Sequence, residues 1–500
     1  MYAVILTVPR VAALRPAAAP AIIKSLLTQR GLESRILDIN LDFHTVQRNQ
    51  WGESQWKIID EYFFNPSVVL PNEVNALYQQ WIDQWVRTIL DLESQWLFVS
   101  VFTWQAQIFT RDFLKAWRSA THTPVVIGGQ GLIREENGSF ASCPSFAHEL
   151  KKQGLIAHWI RGEIETTIDA FIAGKYDAPG IDSDIMAPVS DVNDHPMMDF
   201  DDFEIVKYQS GYASGVLPME TSRGCIRSCV FCDIPSMHGG YRYKKGDRLA
   251  DEMIHYYEKY QVKDFFFHDA LCNGSVKDFR VFNQRLIAYY QDHELPDRAF
   301  KYSSHYIVRD QNLMPEKDFE LMGKAGGETM VIGVESGSDR IKAQMKKGFT
   351  NADLDYNMAM FSRYGINAYF AIVVGFPTET QQDFQDTLDM LTRYQRYVAD
   401  GTIIGVNFGT TFTMEEGTPI WNDYKKFDIV GINNNRPRGP DWRCKSNPEL
   451  TYKERINRRI QAQEHAVALG YTFWKGDDQL RILMDKYKER LARLAGVIHQ

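Results

Sequence analysis

Short apolar runs alternate with amphipathic stretches along most of the chain, the pattern of strands joined by helices. AVILTV (3–8) predicts a buried strand, and Ala18–Arg30, carrying Leu26 and Leu27 and stopped by Gly31, predicts a helix. Arg35–Asn40, Leu97–Phe102, Val125–Ile127 and Ala157–Ile160 predict four more strands. Strands spaced by helices pair in parallel through right-handed crossovers, so residues 1–180 read as an α/β domain with a doubly wound parallel sheet. Ligands of such sheets sit beyond the carboxyl ends of the strands. The loops that matter are therefore those around Pro9, Asn40, Thr103, Gly129 and Gly162.

An insertion at about 43–95 interrupts this domain. It carries Trp51, Trp56, Trp81 and Trp85, and Val74, Leu77, Trp81, Trp85, Ile89 and Leu92 fall on one predicted helical face. Packing of these aromatics against the sheet is the preferred reading, and a lid over a large flat ligand is the alternative. An aperiodic stretch rich in Asp and Pro follows, with 181–205 expected as a linker. From 206 to 413 the alternation resumes with six predicted strands: Val216–Thr221, Phe265–Asp269, Lys301–His305, Met330–Glu335, Ala368–Val374 and Thr402–Phe408. Six βα units are too few for the eight-fold barrel and predict a partial (β/α)6 barrel, with its site at the strand carboxyl ends. Residues 414–500 open with a loop-rich stretch and predict helices near 451–469 and 478–495. Their Arg455, Arg458, Arg459, Lys486, Lys488, Arg490 and Arg493 are expected on a solvated face, with a docking patch for an anionic substrate as the alternative.

Composition adds exclusions. Apolar residues are 44 % and charged residues 24 %, ordinary for a globular chain, and 500 residues suggest about three domains. The net charge of −8 argues against a general grip on nucleic acid. No apolar stretch is long enough to span a bilayer. The start MYAVILTVPR has no basic leader and reads as a strand, so a cytoplasmic location is expected.

Three of the six cysteines, Cys225, Cys229 and Cys232, crowd into one loop directly after a predicted strand. Clustered thiols in a chain without a secretion signal point to a metal centre rather than to disulfides. Iron–sulfur clusters are usually held by four cysteines; three in one loop can wrap three corners of a cubane and leave one iron open. The competing reading is a Cys3His zinc site completed by His238, which lacks the paired C-x2-C modules of ordinary zinc sites. Cys143, Cys272 and Cys444 stand alone. Burial is the default for Cys272 and Cys444, with a radical relay or a fourth cluster ligand as the alternative.

This loop, with Phe231 before its last cysteine, resembles that of the radical S-adenosylmethionine (SAM) superfamily. Gly333-Val334-Glu335-Ser336-Gly337-Ser338, followed by Lys346-Lys347-Gly348, is similar to the family's fourth-strand segment. Gly375-Phe376-Pro377-Thr378-Glu379-Thr380 is similar to its fifth-strand segment. The resemblance implies a 4Fe-4S cluster on Cys225, Cys229 and Cys232, with Phe231, Asp269, Glu335, Ser336, Gly375 and Phe376 as SAM contacts. Asn273 shares the end of the second strand with Asp269, and Arg242 and Lys244 are candidates to neutralise the SAM carboxylate. In the family, reductive cleavage of SAM gives methionine and a 5′-deoxyadenosyl radical, while the protein supplies placement and exclusion of water.

The amino-terminal domain, with Pro9, Asp38-Ile39-Asn40, Gly128-Gly129-Gln130-Gly131 and Arg161-Gly162-Glu163-Ile164-Glu165 in this order, resembles the cobalamin-binding domains fused to radical SAM barrels. The implied cobalamin contacts are Pro9, Asn40, Gly128, Gly129, Gln130, Gly162 and Glu163. Glycines let backbone approach a flat macrocycle closely. Asp42-Phe43-His44 is near the cobalt-ligand motif of mutases but lacks its glycine, so His44 is expected to be a surface histidine. Together the resemblances imply a cobalamin-dependent radical SAM enzyme that methylates an unactivated carbon, with cobalamin, SAM and substrate meeting at the strand carboxyl ends. No catalytic side chain is singled out. The alternatives are a radical rearrangement or cyclisation, or a non-catalytic metal-binding module. Methylthiolation of tRNA is set aside, because the amino-terminal domain has only Cys143. The implied partners are a small metabolite, lipid or peptide substrate and a one-electron reductant such as flavodoxin or ferredoxin.

Overall fold

Alternating apolar runs become strands here because β-branched and aromatic residues fit a pleated surface covered by helices. A computed structural model describes residues 2–65, 67–133, 144–210, 213–409, 411–431 and 436–473. The chain divides into two units, Met1–Pro218 and Met219–Gln500. In the first, β1 (Tyr2–Thr7), β2 (Glu33–Asp38), β3 (Trp96–Ser100), β4 (Val125–Gly128) and β5 (His158–Ile160) form one sheet in the order β2-β1-β3-β4-β5. Every pairing is parallel. The order reverses between β1 and β3, and such a switch point opens a crevice beyond the carboxyl ends of those two strands.

The insertion packs as the bland reading holds. Its helices Glu53–Phe64 and Asn72–Leu90 bury Trp56, Phe63, Tyr78 and Trp81 in the core of the first unit, against Phe43 and Phe109. Trp81 and Trp85 both donate their indole N–H to Asp42, at 2.7 and 3.2 Å. The buried face differs from the expected one: Val74, Tyr78, Trp81, Ile82, Val86 and Ile89 face the core, while Leu77 and Trp85 lie at its edge. A 3.6-residue repeat carried over five turns drifts, and the i+4 steps win. Residues 181–205, read as a linker, run back over the first unit. Ala187 N donates to Arg161 O and Asp199 N to Ala21 O, while Asp202 takes Lys24 at 2.8 Å and the amide of Ile36.

The second unit is built on β6 (Leu217–Met219), β7 (Asp264–Phe267), β8 (Lys301–Tyr306), β9 (Gly327–Glu335), β10 (Asn367–Ile372) and β11 (Ile403–Asn407), which neighbour one another in chain order. Strands β7 to β11 pair in parallel. Sequential order with right-handed crossovers puts the connecting helices on one face and leaves the other free of them. Burial follows: Phe265 and Phe267, Tyr302 and Tyr306, and Met330, Ile332 and Val334 are buried, and Phe267 and Tyr302 pack on Phe282 of the helix Val276–Asp292. No described helix is long and apolar enough to cross a membrane.

One expectation fails in the carboxyl-terminal region. Arg455, Arg458 and Arg459, on the helix Tyr452–Ala468, are buried rather than solvated. Arg455 donates to the carbonyls of Phe412, Pro440 and Trp442 and lies 3.8 Å from the Trp442 ring centroid, while Arg458 reaches Glu379 at 3.1 Å. A guanidinium with five donors satisfies several carbonyls at once. Lys486, Lys488, Arg490, Arg493 and the helix expected at 478–495 lie outside the described residues.

Candidate functional site

The cysteine loop follows β6 and is held at its entry, middle and exit. At the entry, Asp269 Oδ2 accepts from the amides of Thr221 and Ser222 and from the Thr221 hydroxyl. A short antiparallel pair, Ser222–Arg223 against Arg242–Tyr243, brings Gly224 against Gly240. Gly224 has φ +80°, and a Cβ there would stand 2.2 Å from the carbonyl oxygen of Gly240, so only glycine fits. In the middle, Val230 N donates to Met345 O and Ile420 N to Val230 O. The Cys229 thiol reaches Lys346 O at 3.7 Å, and Cys225 Sγ accepts from Arg227 N at 3.4 Å. At the exit Cys232 N donates to Cys229 O, and the helix Ile234–His238 follows.

Burial pushes the Cys229 thiol up and that of Cys232 up to about 12, and the neighbouring cysteines add to both. Such thiols become thiolates only opposite a positive centre. One cation is already there. Lys347 donates to Glu335 Oε1 at 2.9 Å and lies 5.9 Å from the Phe231 ring centroid. Burial lowers its pKa, but Glu335 and Cys229 outweigh burial and raise it overall. Glu335 ends β9 at φ +64°, and Gly333 leaves the space: a Cβ there would stand 2.4 Å from Glu335 Oε1.

In the first unit, the carboxyl-end loops interlock at the switch point. Thr103 Oγ1, after β3, donates to Arg10 O, after β1, and Val11 N donates to Asn40 Oδ1. Gly129 (φ +113°) and Gly131 sit on the β3 loop, where a Cβ would stand 2.4 Å from Val101 O and 2.5 Å from Thr103 O respectively. The loop after β4 thus packs onto the loop after β3 with no side chain at either contact. Asp38 accepts from Thr7, Tyr208 and Leu41, and burial raises its pKa to about 6.

Residues 219–391 match the Radical SAM superfamily. The second unit carries a radical SAM domain. Such a domain implies a 4Fe-4S cluster and SAM. An uncharacterized methyltransferase of Pyrococcus horikoshii is 26 % identical over 236 residues, covering 47 % of this chain and 47 % of that protein. The chain spans about half the length of the curated relatives it matches; ribosomal-protein and tRNA methylthiotransferases are among them. Among solved structures, TsrM of Kitasatospora setae, a radical SAM methyltransferase with cobalamin and a [4Fe-4S] cluster bound, has a TM-score of 0.60 at 13 % identity. It covers 98 % of this chain and 99 % of that one. OxsB with aqua-cobalamin bound, a cobalamin-dependent SAM radical enzyme, has a TM-score of 0.62 at 14 % identity, covering 92 % and 66 %. These likenesses show the fold: a doubly wound parallel sheet followed by six sequential βα units.

The radical SAM loop fits its cluster. Three thiols within electrostatic reach of one another come from one loop. Among the described residues no three His, Cys, Asp or Glu side chains converge to hold a single metal ion. A cubane takes each thiolate on its own iron and needs no such convergence. Of the expected SAM residues, Phe231 and Glu335 stand beside the cysteines. Asp269 lies behind the loop as its anchor, with its pKa raised to about 7 by burial and by Glu220. Ser336 turns to Thr387. Gly375, at φ +85°, donates its N–H to Glu379, and Phe376 is fully buried edge-on to Phe412, with centroids 5.3 Å apart. Lys244 is committed to Glu252 at 2.8 Å, Arg242 donates to His238 O, and Asn273 bonds the backbone of Ile307.

In the first unit Pro9 is buried and Gly128 half-buried, while Gly129, Gln130 and Gly162 are exposed at the strand ends. Glu163 turns away, accepting from the Ser190 amide and hydroxyl. His44 is half-buried rather than free on the surface: its Nε2 bonds Val11 O at 2.8 Å, and burial lowers its pKa to about 4. Cys272 and Cys444 are buried; Cys143 lies outside the described residues. Sequence reasoning missed Lys347 as the ion-pair partner of Glu335, although the quoted Lys346-Lys347-Gly348 contained it.

Proposed function

We propose that this chain is a cobalamin-dependent radical SAM enzyme that transfers a methyl group to an unactivated carbon of its substrate. The observation that carries the reading is a pair of features in one chain: a three-cysteine loop at the end of a singly wound sheet, and a doubly wound sheet whose β3 and β4 loops meet without Cβ atoms at Gly129 and Gly131. The fold shared with TsrM along 98 % of the chain supports it, as does the methyltransferase relative.

In this reading 1–180 is the cobalamin-binding domain, 181–205 connects it, 206–413 is the radical SAM barrel and 414–500 completes it. When bound, the cluster, SAM and cobalamin supply the electron, the carbon radical and the methyl group. The chain's own residues hold and exclude. Cys225, Cys229 and Cys232 would hold three irons, on a loop fixed by Asp269, Gly224, Met345 and Ile420. Phe231 and the Glu335–Lys347 pair would border SAM, with Gly375 shaping the turn behind it. Pro9, Asn40, Gly128, Gly129, Gln130 and Gly162 would form the cobalamin face, with Glu163 bracing its last loop.

The test is anaerobic reconstitution of the full chain with iron, sulfide and hydroxocobalamin, followed by reduction, addition of SAM and mass spectrometry. 5′-Deoxyadenosine from the wild type but not from Cys225→Ala supports radical chemistry. S-Adenosylhomocysteine formed only with retained cobalamin supports methyl transfer. A protein that binds zinc and no iron contradicts the reading.

A further inference from the structure

Two arginines beside the cysteine loop have no acid to pair with. Arg227 lies between Cys225 and Cys229, and Arg309 follows the end of β8. Both belong to the second unit, and the two guanidiniums lie within electrostatic reach of each other. Arg309 is only 7 % exposed, and its Nη2 donates to the carbonyls of Asn273 and Gly274 at 3.0 and 2.8 Å. That brace occupies a single nitrogen of the guanidinium. Arg227 is half-buried, and its guanidinium makes no hydrogen bond or ion pair with any described residue. The Nε atom of each arginine is buried without a partner. Nη1 of Arg309 and both Nη atoms of Arg227 are neither bonded nor fully covered.

A guanidinium stays charged inside a protein, so loss of a proton does not relieve this arrangement. Burial and the neighbouring Arg227 both lower the Arg309 pKa, the sign of a cation short of negative charge. The acids of the strand-end loops are committed elsewhere. Asp310 Oδ1 accepts from the amides of Asn312 and Leu313, Glu335 holds Lys347 at 2.9 Å, and Glu220 holds Arg223 at 2.6 Å. Glycine keeps the space against the guanidiniums: Gly348 has φ +68°, and a Cβ there would stand 2.1 Å from Arg227 Nη1. Bracing two carbonyls explains part of Arg309 and nothing of Arg227. Buried charges are retained where something pairs with them, and among the described residues nothing does.

We propose that Arg227 and Arg309 form an oxyanion site beside the cysteine loop, and that it holds a carboxylate or phosphate group of the substrate. Calling the ligand a substrate rests on the proposed function, whereas the anion site itself does not. In a first arm, the full chain without cluster is titrated with trifluoropropionate and with its neutral amide, followed by fluorine NMR. The acid is expected to bind the wild type about tenfold more tightly than the amide. Arg227→Gln, which breaks no hydrogen bond, removes most of that preference, and Arg227→Lys retains part of it. Arg309→Gln removes it too; should that variant fail to fold, Arg227→Gln decides. No preference in the wild type, or one that Arg227→Gln leaves intact, overturns the proposal. In a second arm the chain is loaded with its cluster and then with SAM, and the preference is expected to persist. Its loss on loading the cluster would assign the guanidiniums to the thiolates, and its loss on adding SAM to the SAM carboxylate. Either result overturns the substrate assignment. A chain that takes up no cluster refutes the proposed function, while the first arm still decides the anion site.

Discussion

Asp269 sets the stiffness of the cysteine loop, and its ionisation can be turned into a measurement. The carboxyl is buried, and burial together with Glu220 lifts its pKa from 3.8 to about 7. Below 3.8 the folded and unfolded chains are both protonated, and no cost arises. Between 3.8 and about 7 the unfolded chain ionises while the folded one keeps its proton, so stability falls with rising pH. Above 7 the full difference is lost, about 4 kcal/mol at about 1.4 kcal/mol per pH unit. That shift is net of the three hydrogen bonds that Oδ2 accepts from Thr221 and Ser222, each of which favours the charged form. Asp269→Asn removes the ionisation while keeping an oxygen acceptor in place. If burial dominates, the asparagine variant holds the loop more tightly than wild type at pH 8, by up to about 4 kcal/mol, and about 1.4 kcal/mol of pH dependence between pH 6 and 8 disappears. The assay is hydrogen–deuterium exchange of the Thr221 and Ser222 amides at both pH values, corrected for intrinsic rates. Faster exchange in the variant at pH 8, with the pH dependence unchanged, would refute the reasoning.

Three further outcomes follow from close approaches and buried charge. Gly224→Ala forces a Cβ onto Gly240 O at positive φ, at a cost of about 2–5 kcal/mol from strain and overpacking together; iron and sulfide per chain should fall after reconstitution, and full loading would contradict the clash. Gly129→Ala meets Val101 O in the same way and should lower hydroxocobalamin retained after desalting, while iron content stays at the wild-type level. Lys244→Met leaves the buried Glu252 with Arg248 at 3.5 Å in place of its 2.8 Å partner, destabilising by about 3 kcal/mol, the low end for a broken buried pair; thermal unfolding should show the loss, and Lys244→Met combined with Glu252→Leu should recover much of it.

Both sheets were legible because most strands hold short apolar or alternating stretches between helical ones, and parallel order follows from the helices between them. The cysteine loop was legible because three thiols in one loop have few other uses. The roles of Ser336, Phe376 and Glu163 were not, because a motif places a residue in the chain without saying which way its side chain turns. Ser336 found Thr387, Phe376 found Phe412 and Glu163 found Ser190, each far away in sequence. The buried arginines escaped for a related reason. Arg455 is satisfied by the carbonyls of Phe412, Pro440 and Trp442, acceptors that every residue carries and no composition reveals. The drift of the Asn72–Leu90 face is the remaining miss, since Tyr78 and Ile82 rather than Leu77 and Trp85 meet Phe109 and the core.

The most direct test of the central claim is electron paramagnetic resonance on the anaerobically reconstituted full chain, before and after adding SAM. The account predicts a reduced [4Fe-4S] signal that changes when SAM is added, with cob(II)alamin detectable in the same sample, and loss of the cluster signal in Cys225→Ala, Cys229→Ala and Cys232→Ala. A cluster whose signal SAM leaves untouched, or a chain that takes up neither iron nor cobalamin, would contradict it.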